Sequence, residues 1–173
     1  IKLDEDLVEG QVELELDEVE LIAFENAVPQ SSLKVAAGEF FPNEYSPDME
    51  LYPVSNGISL NEDYFACKIV GDSMNKIIED GQIALFKKYT GGSRNGKVVL
   101  AKYFNYQDPD FNSAFTLKEY YSDKLISEEG WEHKRIVLKP KSYDNSYKEI
   151  EVLPEDIDRG EFNVIGVFVK VLE

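Results

Sequence analysis

Cysteine and histidine are almost missing from this chain, and basic residues are scarce: one Cys, one His and 18 Lys plus Arg stand against 34 Asp plus Glu in 173 residues. Each shortage excludes something. The single Cys67 cannot form an internal disulfide, and one cysteine with one histidine cannot furnish a conventional zinc shell. A Ser-His-Asp triad would rest on His133 alone, which lies in the polar, hairpin-like stretch Glu129-Gly130-Trp131-Glu132-His133-Lys134. A formal charge of −16 repels phosphate backbones, so direct nucleic-acid binding by this chain is not expected. No run of apolar residues reaches the length of a signal peptide or a membrane span, which reads as a cytoplasmic chain without a membrane anchor. The first residue is Ile1 rather than methionine, so further sequence upstream is expected.

A hydrophobic content of 43% is that of a globular protein with one core. Short apolar or alternating runs recur every ten to fifteen residues or so. They include Tyr64 to Val70, Gln82 to Phe86, Lys97 to Tyr103, Ala114 to Tyr121, Ile136 to Pro140, Ile150 to Leu153 and Phe162 to Leu172. With no long amphipathic pattern between them, the fold is expected to be mostly β. Residues 1–32 read as an acidic arm. Val12, Leu14 and Leu16 alternate with Glu13 and Glu15, as in a strand with one solvated face. Val28-Pro29-Gln30-Ser31-Ser32 has the composition of a linker, and within the segment 33–63 residues 42–63, with Pro42, Pro47, Pro53 and Gly57, read as an irregular connection before a core at 64–173.

Two features suggest chemistry. Gly71-Asp72-Ser73-Met74 follows a strand-like run, which sets a serine hydroxyl at a strand end, although turns also select these residues for backbone reasons. A serine nucleophile needs a base, and without a suitable histidine the alternative is a lysine made neutral by burial. Lys118, flanked by Phe115, Leu117 and two tyrosines, suits that demand; Lys68, Lys97 and Lys102 compete but read more easily as solvent-facing strand residues. The backbone amides of Asp72 and Ser73 would be the oxyanion donors. Upstream, Ala37-Gly38 lies in a segment of small residues that could enter a narrow cleft or simply form a turn. Gly91-Gly92 lacks the spacing and the following Lys-Ser or Lys-Thr of a phosphate-binding loop.

The order of Ala36-Ala37-Gly38, Gly71-Asp72-Ser73-Met74, Asp80-Gly81, Asn95-Gly96-Lys97-Val98-Val99, Phe115-Thr116-Leu117-Lys118 and Val164-Ile165-Gly166-Val167-Phe168 resembles the LexA and UmuD family of self-cleaving serine peptidases. The resemblance implies a bent, β-clip-like catalytic core and an N-terminal β arm that carries the cleavage segment. It implies Ser73 as nucleophile, Lys118 as general base and Ala37-Gly38 as the scissile bond, cut in cis. It further implies a homodimer, activation by a RecA-type filament, a role as a DNA-damage or phage-stress switch, and no cofactor. Residues 1–32 look like acidic strands instead of the helix-turn-helix that LexA and phage repressors place there. The loop Asn105 to Ser113 and the insertion Ser122 to Lys134 exceed the short UmuD form and look more like the version appended to larger helicase-like proteins. A catalytically silent interaction module is the competing reading. The signal peptidases share Ser-Lys chemistry but need a membrane anchor.

Overall fold

The structure is a computed structural model that describes residues 19–31, 49–55, 57–89 and 91–172. Most of the acidic arm, and the whole Ala37-Gly38 segment with it, lies outside the described residues. Nine strands form one sheet: β1 Ala27–Ser31, β2 Leu51–Pro53, β3 Tyr64–Lys68, β4 Ile83–Lys88, β5 Val98–Tyr103, β6 Phe115–Ser127, β7 Gly130–Lys139, β8 Ile150–Val152 and β9 Phe162–Val171. Their order is β2-β1-β3-β4-β9-β5-β6-β7-β8. All neighbours are antiparallel except β1 and β3. The fold is therefore mostly β, as the spacing of apolar runs predicts.

The strands follow from the residues that fill them. β5 reads Val98-Val99-Leu100-Ala101-Lys102-Tyr103, and alternate side chains serve two different clusters. Val98 and Leu100 join Phe65, Phe86, Phe115 and Leu117 on one side, and Val99, Ala101 and Tyr103 join Tyr120, Ile136 and Phe162 on the other. A strand buried on both faces needs a near-continuous apolar run, and β5 has one. Within the first cluster Phe65 and Phe86 stack at 5.4 Å, and Phe168 meets Phe86 edge-on at 6.1 Å. The last strand, β9, inserts between β4 and β5, with register shifts at Leu85/Phe86 and Leu100/Ala101. Such irregularities let a sheet bend.

Three local expectations are corrected. Residues 28–31, read as linker, belong to β1, where Gln30 and Ser31 pair in parallel with Ala66 and Cys67 of β3. The short β2 emerges from the connection at 42–63 and pairs with β1. Pro154 opens a short helix, α1, over Pro154–Asp158, which no apolar periodicity signals. The insertion at 122–134 is the continuation of β6 and β7 into a long hairpin turning at Gly130, whose φ of 131° suits glycine.

Candidate active site

Ser73 sits in a turn between β3 and β4, and the turn is pinned from several sides. Its flanking residues Met74 and Ile78 are buried in the same cluster as Phe65 and Phe86. Asp80 Oδ1 accepts the Gly71 N–H at 2.6 Å, and the Gly81 N–H reaches the Ile69 carbonyl at 2.8 Å, closing the base of the loop. On the outside, the Lys141 N–H donates to the Ser73 carbonyl at 3.0 Å, and the Lys76 N–H donates to the Lys141 carbonyl at 2.9 Å. The hydroxyl is thereby held on a fixed backbone, with Ser73 only 6% exposed.

Lys118 arrives from β6. Along this strand Phe115 and Leu117 face the first cluster, so Thr116 and Lys118 face the other way. Lys118 is 2% exposed, and its Nζ donates to Ser73 Oγ at 3.0 Å. The two residues paired from sequence are in hydrogen-bond contact. The competing lysines are elsewhere: Lys68 and Lys97 are exposed, and Lys102 lies over the rings of Phe104 and Phe115. His133 pairs with Lys124 on the β6-β7 hairpin. Six residues of strand separate Lys124 from Lys118, roughly 20 Å along β6.

A third group, unforeseen from sequence, completes the cluster. Asp108, 1% exposed, places Oδ2 3.3 Å from Lys118 Nζ and accepts the Thr116 hydroxyl at 2.6 Å on the same oxygen. Thr116 Oγ1 in turn lies 3.1 Å from Nζ. Asp108 Oδ1 accepts the N–H groups of Asp110 and Phe111 at 2.9 and 3.1 Å, and the buried Phe111 ring ties the loop to the core. An Asp in a polar loop gives no sequence signal of burial; the one pointer is Phe111, a large apolar residue that such a loop would bury.

These neighbours pull the lysine in opposite directions. Burial lowers the Lys118 pKa and is the largest influence, while the charge and hydrogen bond of Asp108, and then the charge of Asp110, raise it; the net direction is downward. Asp110 is itself confined. Its Oδ1 accepts the Tyr147 hydroxyl at 2.9 Å, its Oδ2 is buried without a partner among the described residues, and its side chain packs against Gly71. Burial, then the Asp110 hydrogen bond and charge, push the Tyr147 hydroxyl up to about 12, while the Asp72 N–H beside it acts in the other direction. The Asp72 amide thus lies against Tyr147, and the Ser73 amide has no acceptor among the described residues.

A cavity of about 240 Å³ adjoins the cluster and is lined by Tyr106, Asp108, Pro109, Lys118 and Tyr147 among others. Ser73 does not line it, so the lysine is approached from the cavity on one side and from the serine on the other. Among the described residues no group of three or more His, Cys, Asp and Glu is placed to hold a metal ion, and no helix is long and apolar enough to cross a membrane.

The site is thus a buried serine–lysine contact on a mostly-β sheet. The sequence profile described as Peptidase S24-like matches residues 29–169, and the chain belongs to that family. A search of curated proteins gave no match.

Proposed function

We propose that the protein is a self-cleaving serine peptidase in which Ser73 is the nucleophile, Lys118 the general base and Ala37-Gly38 the bond cut, in cis. The observation that carries this reading is the 3.0 Å contact between Lys118 Nζ and Ser73 Oγ, both residues being buried. Burial lowers the lysine pKa and raises the fraction of neutral amine near neutral pH.

Neutral Lys118 takes the Ser73 proton as Oγ attacks the Ala37 carbonyl carbon. The oxyanion meets the Ser73 amide, and the Asp72 amide once it turns from Tyr147; one such donor is worth about 2.7–4 kcal/mol in comparable sites. Collapse of the tetrahedral intermediate breaks the Ala37-Gly38 bond, and the Lys118 ammonium gives its proton to the Gly38 amine. Water, deprotonated by the again neutral Lys118, attacks the Ala37 carbonyl carbon, the bond to Ser73 Oγ breaks to release the Ala37 carboxylate, and the Lys118 ammonium returns its proton to Oγ.

The cut would separate the acidic arm from the core once per molecule, which suits a switch for DNA damage or phage stress. In that setting a homodimer presents the core, and a RecA-type filament acts by favouring the cleavage-ready conformation. The cytoplasm is the compartment this role requires. The silent interaction module remains the second reading, favoured by one observation: Asp108 beside Lys118 stabilises the ammonium, which is no base.

Intact-mass analysis after incubation from pH 7 to 10 tests the reading. A fragment beginning at Gly38 is expected in the wild type and absent from Ser73→Ala and Lys118→Ala. No fragment at any pH, even with an activated RecA-type filament, would favour the silent module.

A further inference from the structure

The lysine has more partners than a serine–lysine pair requires, and their hydrogen-bond chemistry constrains one another. Thr116 has a single hydroxyl proton, and at 2.6 Å that proton is committed to Asp108 Oδ2. Toward Lys118 the threonine oxygen can only accept, and a carboxylate can only accept as well. Both 3.1 Å to Thr116 and 3.3 Å to Asp108 are therefore N–H bonds donated by Lys118. A neutral amine has two N–H groups and one lone pair. With both N–H groups taken, the lone pair is left for the third neighbour, Ser73 Oγ, at 3.0 Å. In the ammonium form the third N–H points there instead, and the serine cannot give up its proton.

We propose that Asp108 is a positioning residue for the peptidase reaction, which with Thr116 fixes both N–H groups of the Lys118 amine and leaves its lone pair for the Ser73 hydroxyl. This rests on the peptidase reading above and deepens it: the working unit becomes Asp108–Thr116–Lys118–Ser73. The same carboxylate has a second effect of opposite sign. Its charge favours the ammonium, so it opposes the loss of the proton that burial promotes, while aiming the amine for the moment that proton is gone. The other polar groups around the lysine are Asp110, whose charge acts in the same direction from further off, and, on the cavity side, Tyr106, Tyr147, Lys148 and Glu149. None of these five has a hydrogen bond to Nζ among the described residues; only Asp108, Thr116 and Ser73 do.

Asp108→Asn separates the two effects. The carboxamide keeps an acceptor for the Asp110 and Phe111 N–H groups, but turns an N–H toward Thr116 and Lys118, removing the charge and offering a donor to the lone pair. The full chain is made in wild-type, Asp108→Asn, Asp108→Glu and Thr116→Val forms, and the rate of cleavage is followed against pH. In parallel, Ser73→Ala forms carrying ¹³Cε-lysine are titrated by NMR, with the Lys118 signal identified by its loss in Lys118→Met.

In Asp108→Asn the rise of rate with pH is expected to begin at lower pH, and the high-pH plateau to fall by up to roughly 100-fold, the scale of misaligned reacting groups. Asp108→Glu should restore the pH of the rise. Thr116→Val should lose plateau rate while its rise moves far less than that of Asp108→Asn. By NMR, Lys118 should release its proton at lower pH in Asp108→Asn. Unchanged titration and an unchanged rate profile in Asp108→Asn would overturn the proposal, and so would a plateau that rises when the carboxylate is removed. If no variant cleaves but the NMR titration moves as described, the hold of Asp108 on Lys118 stands and the peptidase reading fails. Should Asp108→Asn not fold, Asp108→Glu and Thr116→Val carry the test, and equal plateau rates in both and the wild type would overturn it.

Discussion

Gly71 is the residue whose substitution the structure constrains most closely. Its φ is 91°, and a Cβ built on it would lie 2.2 Å from Asp110 Cγ and 2.3 Å from Asp110 Cβ and Oδ2. Gly71→Ala therefore carries two separate costs. Holding a non-glycine residue at positive φ costs about 1–3 kcal/mol. The overlap cannot be absorbed in place, because Asp110 is held by Tyr147 through Oδ1 and by Asp108 through its backbone N–H. Asp110 must leave, and losing the Tyr147 bond adds about 1 kcal/mol. The sum, roughly 2–4 kcal/mol, should lower Tm by roughly 5–15 °C in a domain of this size. Asp110→Gly removes the obstacle, so in that background Gly71→Ala should cost only the backbone strain. Thermal unfolding of the two single variants and the double variant, with circular dichroism as readout, gives the coupling. Costs that add without coupling would refute the claim that Asp110 is what Gly71 makes room for.

Other outcomes follow from the same geometry. Phe86→Ala empties the stack between Phe65 and Phe168 and should cost about 3–5 kcal/mol by denaturant unfolding. Gly166→Ala would bring a Cβ to 2.9 Å from Phe65 Cζ and 3.2 Å from the Lys87 carbonyl, and should lower Tm unless the ring gives way, which an altered Phe65 aromatic signal by NMR would reveal. His133→Ala should leave any cleavage rate unchanged, because its strand position is remote from Ser73. The Asp156 carboxyl is held below its ordinary 3.8 by the hydrogen bonds of Tyr103 and Asn105. A lowered folded-state pKa means stability that is present above 3.8 and lost as pH falls through the lower folded value. Tyr103→Phe, which keeps the ring against Phe162, should flatten that part of the acid unfolding profile.

The contact between Ser73 and Lys118 is legible only in part: a serine after an apolar strand also reads as a turn, and a lysine in phase with Thr116 competes with Lys68, Lys97 and Lys102, so the resemblance and not local pattern singles out the pair. Asp108 is not legible, because its burial is decided by the path of the loop and by Phe111, and no periodicity reports either. β1 is hidden from the sequence for a related reason. Pro29, Gln30 and Ser31 have weak strand preference, and their pairing with β3 is a long-range contact that overrides it. The placement of β9 between β4 and β5 is likewise a matter of tertiary pairing, although its apolar run marks it as a strand. The mostly-β class could be read from spacing alone, since no segment carries the 3.6-residue periodicity of a long helix.

The central claim is that a buried lysine, once neutral, activates Ser73 against its own chain. The first-order rate constant for breakage of Ala37-Gly38, measured from pH 6 to 11 at several protein concentrations, tests it most directly. The rate is expected to climb about tenfold per pH unit, level off where Lys118 has lost its proton, be independent of concentration, and be abolished by Ser73→Ala. Breakage that ignores pH, occurs at another bond, or persists in Ser73→Ala would contradict the claim.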